Sequence, residues 1–261
     1  MPTEPRAVAI IPARWASSRF PGKPLARIRD KPMVQWVAEQ AGKARLVSEV
    51  IVATDDVRIA DAVREFGGNA VMTSPDHPSG TDRIAEVAEG IECDIVVNVQ
   101  GDEPLIPPEN IDAAVEALRN APEVPVSTLM LKIDTREEIF DPNVTKVVTD
   151  QNGFALYFSR APIPFDRDGW PGIERGTDTN SINPDLVWYK HIGLYAYRKT
   201  FLMEFPRLGV SKLETAEKLE QLRILENGYS IKTALTDKNS IGVDCPEDIV
   251  SVERMLEEAL K

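Results

Sequence analysis

The segment AVAIIPARWASSRFPGKPL, residues 7–25, joins a continuous apolar run to a loop rich in cations, proline and glycine. The apolar portion, residues 7–12, has the pattern of a β-strand that is buried on both faces, as in a parallel sheet. From Pro5 to Arg29 the sequence contains no acidic residue, whereas an even spread of the chain's acids would put about four in such a window. We therefore expect the loop after the first strand to bind an anion from outside the protein.

The composition is that of an ordinary globular protein, with 43% hydrophobic and 28% charged residues. Its formal net charge of −12 argues against general binding to nucleic acids or to anionic membranes. No apolar run approaches the roughly 20 residues that span a bilayer, and the apolar stretch near the N-terminus is shorter than a signal-peptide core. Cys93 and Cys245 form no motif, so we expect two free thiols in a cytoplasmic protein.

Strand and helix patterns alternate along the first half of the chain. Strands are predicted at 7–12, 49–54, 69–73 and 94–99, and helices at 33–45, 57–66, 81–89 and 109–119. This alternation predicts an α/β fold, with a Rossmann-like, mostly parallel sheet and helices on both of its faces.

The pattern changes after Pro122. Further strands are predicted at 125–132, 144–149, 153–158 and 189–197, with little helix between them, which indicates a smaller antiparallel lobe. Residues 161–187 are rich in Pro, Gly, Asp and Asn and predict a long loop of the functional or mobile kind. The α/β pattern then returns with a helix at 213–226, a strand at 229–236 and a helix at 246–260. We divide the single domain into three segments, residues 1–122, 123–200 and 201–261.

Three cations of the basic loop, Arg14, Arg19 and Lys23, suit the binding of phosphate. A guanidinium group binds phosphate oxygens in pairs, and a lysine adds a point charge. In an open α/β sheet, ligands bind where such strands end. The loop matches neither the dinucleotide motif G-x-G-x-x-G nor a Walker A motif, so its affinity would depend on side chains. Charge alone leaves a solvated basic loop as the alternative.

Two aspartates follow strand patterns at distant points of the chain: Asp102 in QGDEP and Asp244 in GVDCPED. They can converge if both strands end at one edge of the sheet, and Mg²⁺ prefers one or two carboxylates together with substrate oxygens. The alternative makes Asp102 a turn residue and Asp244 a helix cap. Asp248 can supply charge to the N-terminus of the last helix and is a weaker metal candidate.

Several other polar residues have both a structural and a functional interpretation. Ser79 and Thr81 suit the N-cap of the third predicted helix. A lone strand histidine such as His191 is usually packed or hydrogen-bonded. Glu220 and Gln221 match the solvated face of a helix whose core side carries leucines.

Seven motifs, in this order along the chain, resemble the sugar nucleotidyltransferases: IPARWASSRFPGKPL (11–25), SGTDR (79–83), NVQGDEPLI (98–106), YFSRAPIPFDRD (157–168), YKHIGLYAYR (189–198), KLEQLRILENGY (218–229) and GVDCPED (242–248). Within that family they are most similar to the enzymes that activate the sugar acid 3-deoxy-manno-octulosonate (Kdo). The resemblance implies that CTP and Kdo give CMP-Kdo and pyrophosphate for lipopolysaccharide synthesis. It also implies Mg²⁺ as cofactor and a homodimer.

The resemblance implies roles for particular residues, with the nucleotide bound by residues 1–122 and the sugar site and a dimer contact in residues 123–200. The nucleotide set is Arg14, Arg19, Lys23, Ser79, Gly80 and Asp102. The sugar set is Gln100, Arg160, His191, Tyr195, Glu220 and Gln221. The metal ligands are Asp102 and Asp244, and the catalytic set is Arg14, Lys23, Asp102 and Asp244.

The implied chemistry is in-line attack by the anomeric hydroxyl of the sugar on the α-phosphorus of CTP, with Mg²⁺ lowering the pKa of that hydroxyl. Three alternatives stay open. The same chemistry could act on another sugar acid, such as the 8-amino analogue of Kdo or a sialic acid. A non-catalytic nucleotide-binding regulatory domain is disfavoured by the intact set of Lys23, Asp102 and Asp244. A nicotinamide-dependent enzyme is disfavoured because no G-x-G-x-x-G follows the first strand.

Overall fold

The computed structural model describes residues 4–16, 20–168, 170 and 185–259. Arg19 and most of the second half of the predicted 161–187 loop lie outside these ranges. Among the described residues, no helix combines the length and the apolar character that a membrane crossing needs. Both cysteines are free thiols, as predicted.

The described strands, numbered in chain order, are β1 (Ala7–Ala13), β2 (Arg27–Ile28), β3 (Lys31–Pro32), β4 (Val47–Thr54), β5 (Asn69–Met72), β6 (Ile95–Asn98), β7 (Val126–Lys132), β8 (Lys146–Thr149), β9 (Ala155–Ser159), β10 (Tyr189–Arg198) and β11 (Ile231–Thr236). The described α-helices are α1 (Met33–Ala41), α2 (Val57–Glu65), α3 (Gly80–Glu89), α4 (Pro108–Arg119), α5 (Arg136–Phe140), α6 (Lys199–Glu204), α7 (Lys212–Glu217), α8 (Gln221–Glu226) and α9 (Asp248–Ala259).

One large mixed sheet organises the fold. Its main strand order is β11-β7-β10-β6-β1-β4-β5, and β8 pairs with β10 and β9 beside this path. The pairs β1–β4, β1–β6, β4–β5 and β7–β11 are parallel, whereas β10 runs antiparallel to both β6 and β7. The predicted α/β fold with a mostly parallel sheet is confirmed.

The described strands of the segment 123–200 continue the main sheet, and they do not form a sheet of their own. β7 and β10 lie inside the sheet, between β11 and β6. β10 is ten residues long, so its C-terminal end pairs with β6 while its first two residues pair with β8. The separate antiparallel sheet is the small pair β2–β3. The boundaries at 122 and 200 stay a prediction.

β1 lies in the interior of the sheet, between β6 and β4, and both of its faces are apolar. Ala9 and Ile11 pack into the layer that contains α1, α2 and α4, whereas Val8 and Ile10 pack into the opposite layer with α3 and α6. All four side chains are fully buried. Alternate residues of a strand point to opposite faces, so only an unbroken apolar run can fill both layers, which is what the sequence pattern predicts.

The single helix predicted at 213–226 is wrong. α7 ends at Glu217, Lys218 adopts the left-handed conformation with φ of 55°, and α8 begins at Gln221. Glu217 accepts hydrogen bonds from the Ser159 hydroxyl and the Arg160 backbone N–H, which fixes the end of α7 against β9. The break turns the second helix so that its first residue is buried. The short helices α5 and α6 were not predicted from the sequence.

Replacing Lys218 by glycine tests this break. A residue with a Cβ atom is strained in the left-handed region and glycine is not, so we expect Lys218→Gly to raise the free energy of unfolding by about 1 kcal/mol. In a continuous helix the same change would lower it by about 1 kcal/mol. Urea denaturation measures the difference, with Ala216→Gly inside α7 as the control that should lose stability.

Candidate active site

A pocket of about 330 Å³ opens where β1 and β6 end, and its size lies within the range of small-molecule sites. Five separate segments line it: the end of β1, the turn around Lys23, the N-terminus of α3, the turn after β6 and the loop before α9. The pocket brings together seven of the residues predicted from the sequence: Arg14, Lys23, Ser79, Gly80, Gln100, Asp102 and Asp244.

Lys23 connects three of these segments. It begins a short 3₁₀ turn that follows Gly22, whose φ of 72° suits glycine. The Lys23 Nζ atom donates hydrogen bonds of 2.7 Å to the Asp102 carboxylate and of 2.7 Å to the Val243 carbonyl. It also lies 3.8 Å from the Asp244 carboxylate. One ammonium group therefore holds the two predicted metal ligands on the same side of the pocket.

The turn after β6 packs tightly against the end of β1. A Cβ atom on Gly101 would lie 2.7 Å from the Pro12 carbonyl oxygen, so glycine is required for this approach. The Val243 N–H donates to the Asp102 carbonyl at 2.8 Å, which ties the loop before α9 to the same turn. This backbone contact brings together two aspartates that are far apart in the chain.

Asp248 has the structural role that the sequence offered to Asp244. Its carboxylate accepts hydrogen bonds from the backbone N–H groups of Asp244 and Cys245 and from the Cys245 thiol. The backbone hydrogen bonds are the main reason that the pKa of Asp248 lies below its ordinary value. Asp248 thus shapes the loop, and its carboxylate is engaged in hydrogen bonds within that loop. The Asp244 side chain, in contrast, faces Lys23.

The donor set fits a hard divalent cation. Asp102 and Asp244 supply two carboxylates on one side of the pocket, and both approach the same positive charge. Within the described ranges there is no group of three or more His, Cys, Asp or Glu side chains arranged to enclose a metal ion. Mg²⁺ commonly binds through one or two carboxylates and completes its shell with water and phosphate oxygens.

Trp15 holds the start and the end of the basic loop together. Its carbonyl accepts a 3.0 Å hydrogen bond from the Gly22 N–H, and its ring covers Gly22 so closely that a Cβ atom there would lie 2.9 Å from the indole. The Arg58 guanidinium stacks on the ring at 3.3 Å, and Asp56 binds that guanidinium. The loop is therefore fastened to the N-terminus of α2.

The N-terminus of α3 forms another wall of the pocket. The Ser79 hydroxyl accepts the Asp82 N–H, so Ser79 is the N-cap, while Gly80 packs against Pro12. Arg83, to which the sequence patterns assign no role, is buried and also lines the pocket. It donates to Asp55 and to the Thr73 hydroxyl. The sequence feature that could have indicated a place for Arg83 in the site is its position in the SGTDR motif.

Polar residues of the predicted sugar set lie next to this wall. The Thr81 hydroxyl donates a 2.5 Å hydrogen bond to Glu220, whose pKa is raised mainly by burial. The Gln100 amide lies 3.4 Å from the Asn98 side chain, and Asn98 pairs with Tyr195 across β6 and β10. Gln100 thus lines the pocket itself, whereas Glu220 and Tyr195 lie behind its lining, next to Thr81 and Asn98.

Gln221 and Arg160 differ in their surroundings. Gln221 is buried, and its Nε2 atom has no hydrogen-bond partner among the described residues. The Arg160 guanidinium donates to the carbonyls of Glu217 and Pro142 and does not line the pocket. Its predicted contact with the sugar stays a prediction, and no sequence motif indicates these two backbone partners.

His191 lies in β10, as its strand pattern predicts. Its ring stands edge-on to Phe158 at 4.9 Å and contacts the Tyr195 ring at 5.4 Å. Its Nε2 atom lies 2.9 Å from the Thr128 hydroxyl. Burial lowers the pKa of His191 to about 3, so the imidazole is neutral at physiological pH.

This low pKa predicts that the ring signals of His191 do not titrate between about pH 5 and 8. Because the folded pKa lies below the usual 6.5 or so, the unfolded chain takes up the proton first, and stability falls as pH drops below that value. NMR titration gives the ring signals, and His191→Gln should lose part of the acid-side fall in stability. A titration of His191 near its usual pKa would contradict the assignment.

A mostly parallel sheet with a pocket at the carboxyl ends of its strands is typical of nucleotide-binding α/β enzymes. A family model described as cytidylyltransferase matches residues 8–234. The chain belongs to the cytidylyltransferase family, which confirms the resemblance drawn from the seven motifs.

Two relatives and two solved structures add detail. A 3-deoxy-manno-octulosonate cytidylyltransferase of Geobacter sulfurreducens is 57% identical over 244 residues, covering 94% of this chain and 96% of the relative. One of Geotalea uraniireducens is 55% identical over 256 residues, covering 98% and 100%. A CMP:2-keto-3-deoxy-manno-octonic acid synthetase complexed with CTP has a TM-score of 0.88 and 42% identity, with coverage of 97% and 99%. A 4-diphosphocytidyl-2C-methyl-D-erythritol synthase of Anaerococcus prevotii, with a TM-score of 0.59 at 15% identity over 97% and 96%, shares the fold.

Proposed function

We propose that the protein transfers CMP from CTP to the anomeric hydroxyl of Kdo and releases pyrophosphate, giving CMP-Kdo for lipopolysaccharide synthesis. The observation that carries this is the convergence of Lys23, Asp102 and Asp244 on one pocket beside Arg14. Nearly full-length similarity to enzymes that bear this activity in their names supports it.

Arg14 and Lys23 suit the triphosphate of CTP because they line the pocket at the end of the central strand. In phosphoryl transfer the protein contributes mainly position and charge, and preset cations stabilise the charge that grows on the departing pyrophosphate. We include Arg19 in this set from the motif alone. Ser79 and Gly80, on the adjacent wall, suit the cytosine base.

Asp102 and Asp244 would hold Mg²⁺. When bound, the ion neutralises phosphate charge and lowers the pKa of the attacking hydroxyl. Two carboxylates that lie close together repel each other. The Lys23 ammonium, which contacts both Asp102 and Asp244, offsets this repulsion and keeps them together. Both carboxylates thereby stay in the lining of the pocket.

Kdo would lie against the residues beyond Thr81 and Asn98, namely Gln100, Tyr195, Glu220, Gln221 and His191. The buried amide of Gln221, with no partner in the described chain, supports a polar ligand at this position because such groups are costly to leave unpaired. We keep Arg160 as a weaker candidate for the sugar carboxylate.

We also propose a cytoplasmic location and a homodimer. The two free thiols are consistent with a reducing compartment. The dimer rests on the resemblance, and size-exclusion chromatography with light scattering tests it.

A substrate panel tests the reaction. Four nucleoside triphosphates are combined with Kdo, 8-amino-Kdo and a sialic acid, and pyrophosphate release is measured. Release with CTP and Kdo above all other pairs supports the proposal. Preference for another sugar acid would move the activity to that substrate. No release with any pair would favour a regulatory nucleotide-binding domain.

For the metal ligands, we expect Asp102→Asn and Asp244→Asn each to abolish most activity while the fold persists. Asparagine keeps the shape of a turn residue but loses the charge that Mg²⁺ needs. Activity is measured against Mg²⁺ concentration and folding by thermal denaturation. Unchanged magnesium dependence in Asp244→Asn would leave that residue with a structural role only.

For the sugar side, we expect His191→Ala to raise the KM for Kdo roughly 5- to 100-fold, the effect of removing one polar contact to one substrate. CTP affinity, measured by calorimetry, should stay within a few-fold. Lost CTP affinity with an unchanged Kdo requirement would place His191 on the nucleotide side.

A further inference from the structure

The pairing of β7 with β10 is irregular beside His191. Leu129 pairs with Ile192, but the next residue back on β7, Thr128, pairs with Tyr195, so β10 contains two extra residues at this point. Such a bulge turns the side chains around it and is often found next to a functional site. Thr128 lies opposite the bulge and is fully buried.

The Thr128 hydroxyl touches three groups of β10. Its oxygen lies 2.8 Å from the Leu194 carbonyl oxygen, 3.2 Å from the Ile192 carbonyl oxygen and 2.9 Å from His191 Nε2. A hydroxyl has one proton to donate and lone pairs to accept, whereas a carbonyl oxygen can only accept. The single proton therefore goes to the bulge carbonyls, and the bond with His191 is one in which the hydroxyl accepts.

The donor in that bond is the Nε2–H of His191. A neutral imidazole has a single N–H, so a proton on Nε2 leaves Nδ1 as an acceptor. Burial favours the neutral ring over the imidazolium. With Nε2 engaged by Thr128, Nδ1 is the ring nitrogen that remains for a ligand.

We propose that Thr128 is a positioning residue that fixes His191 in the Nε2–H tautomer, so that Nδ1 accepts a hydrogen bond from a hydroxyl of the sugar acid. The role in sugar recognition rests on the proposed function. The tautomer determines the kind of group that is recognised: a neutral acceptor pairs with a hydroxyl and disfavours a carboxylate. His191 would therefore recognise the polyol portion of the substrate, and its carboxylate would bind elsewhere.

The tautomer can be measured directly by ¹⁵N NMR, because the chain contains only two histidines. A His191→Gln variant assigns the signals. In the wild-type protein we expect His191 Nε2 to show the shift of a protonated nitrogen and Nδ1 that of an unprotonated one. Thr128→Val keeps the shape of the side chain but cannot accept a hydrogen bond, and should give mixed tautomers. Thr128→Ser should restore the wild-type pattern.

Kinetic measurements distinguish a positioning role of Thr128 from a general loss of stability in the sheet. Thr128→Val should raise the KM for Kdo roughly 5- to 100-fold with kcat and the KM for CTP nearly unchanged, and Thr128→Ser should recover most of it. Thr233→Val is the matched control. Thr233 lies on the neighbouring strand β11, is also buried, and its hydroxyl donates to the backbone carbonyl of Gly153. It should leave the KM for Kdo unchanged.

Three results would overturn the inference: a protonated Nδ1 in the wild-type protein, an unchanged tautomer in Thr128→Val, or an equal rise in the KM for Kdo in Thr233→Val. The NMR measurement needs no substrate. A wild-type Nε2–H tautomer that is lost in Thr128→Val, combined with no activity toward any sugar acid, would uphold the tautomer and reject the proposed function.

Discussion

The site depends on the hydrogen bonds of one ammonium group. An ammonium has three N–H donors, and Lys23 uses two of them for the Asp102 carboxylate and the Val243 carbonyl. Asp244, at 3.8 Å, is an ion-pair partner beyond hydrogen-bond distance. The third N–H makes no hydrogen bond to the described residues, and the proposed contact with a phosphate oxygen requires such a donor. The same side chain thus holds the acidic side of the pocket together, which explains why a basic loop can lie beside two carboxylates.

The central region of the fold could be predicted from the sequence because its signals are local. β1 and the helices around it follow from apolar periodicity, and the place of Asp102 follows from the end of β6. The strand predicted before Asp244 is wrong: in the described chain no strand lies between β11 and α9, and Asp244 belongs to a loop that the Val243 N–H ties to the Asp102 carbonyl. The place of β10 could not be predicted, because strand order depends on pairing between distant segments. The break at Lys218 was missed for a related reason. It is stabilised by contacts of Glu217 with β9, and periodicity within one helix does not contain that information.

The structure confirms the packed, hydrogen-bonded interpretation of His191, and its contact with the sugar stays a prediction. The sequence offered either a packed strand histidine or a sugar contact. In the structure its ring packs on Phe158, and one nitrogen is taken up by a hydroxyl 63 positions away in the chain. A hydrogen bond to one nitrogen of a neutral imidazole also determines whether the other nitrogen is a donor or an acceptor. Arg160 shows the opposite case, since its guanidinium is directed to backbone carbonyls that no motif reveals.

The contact of Trp15 with Gly22 has an evolutionary consequence. Position 22 is restricted twice, by a positive φ and by the indole that covers it. A smaller residue at position 15 would make room for a Cβ atom but would leave the backbone strain, and it would also remove the ring on which Arg58 stacks. No single substitution at either position leads to an equally good alternative. We therefore expect sequence drift in this loop to be concentrated at other positions, with tryptophan, glycine and arginine kept or replaced as a set.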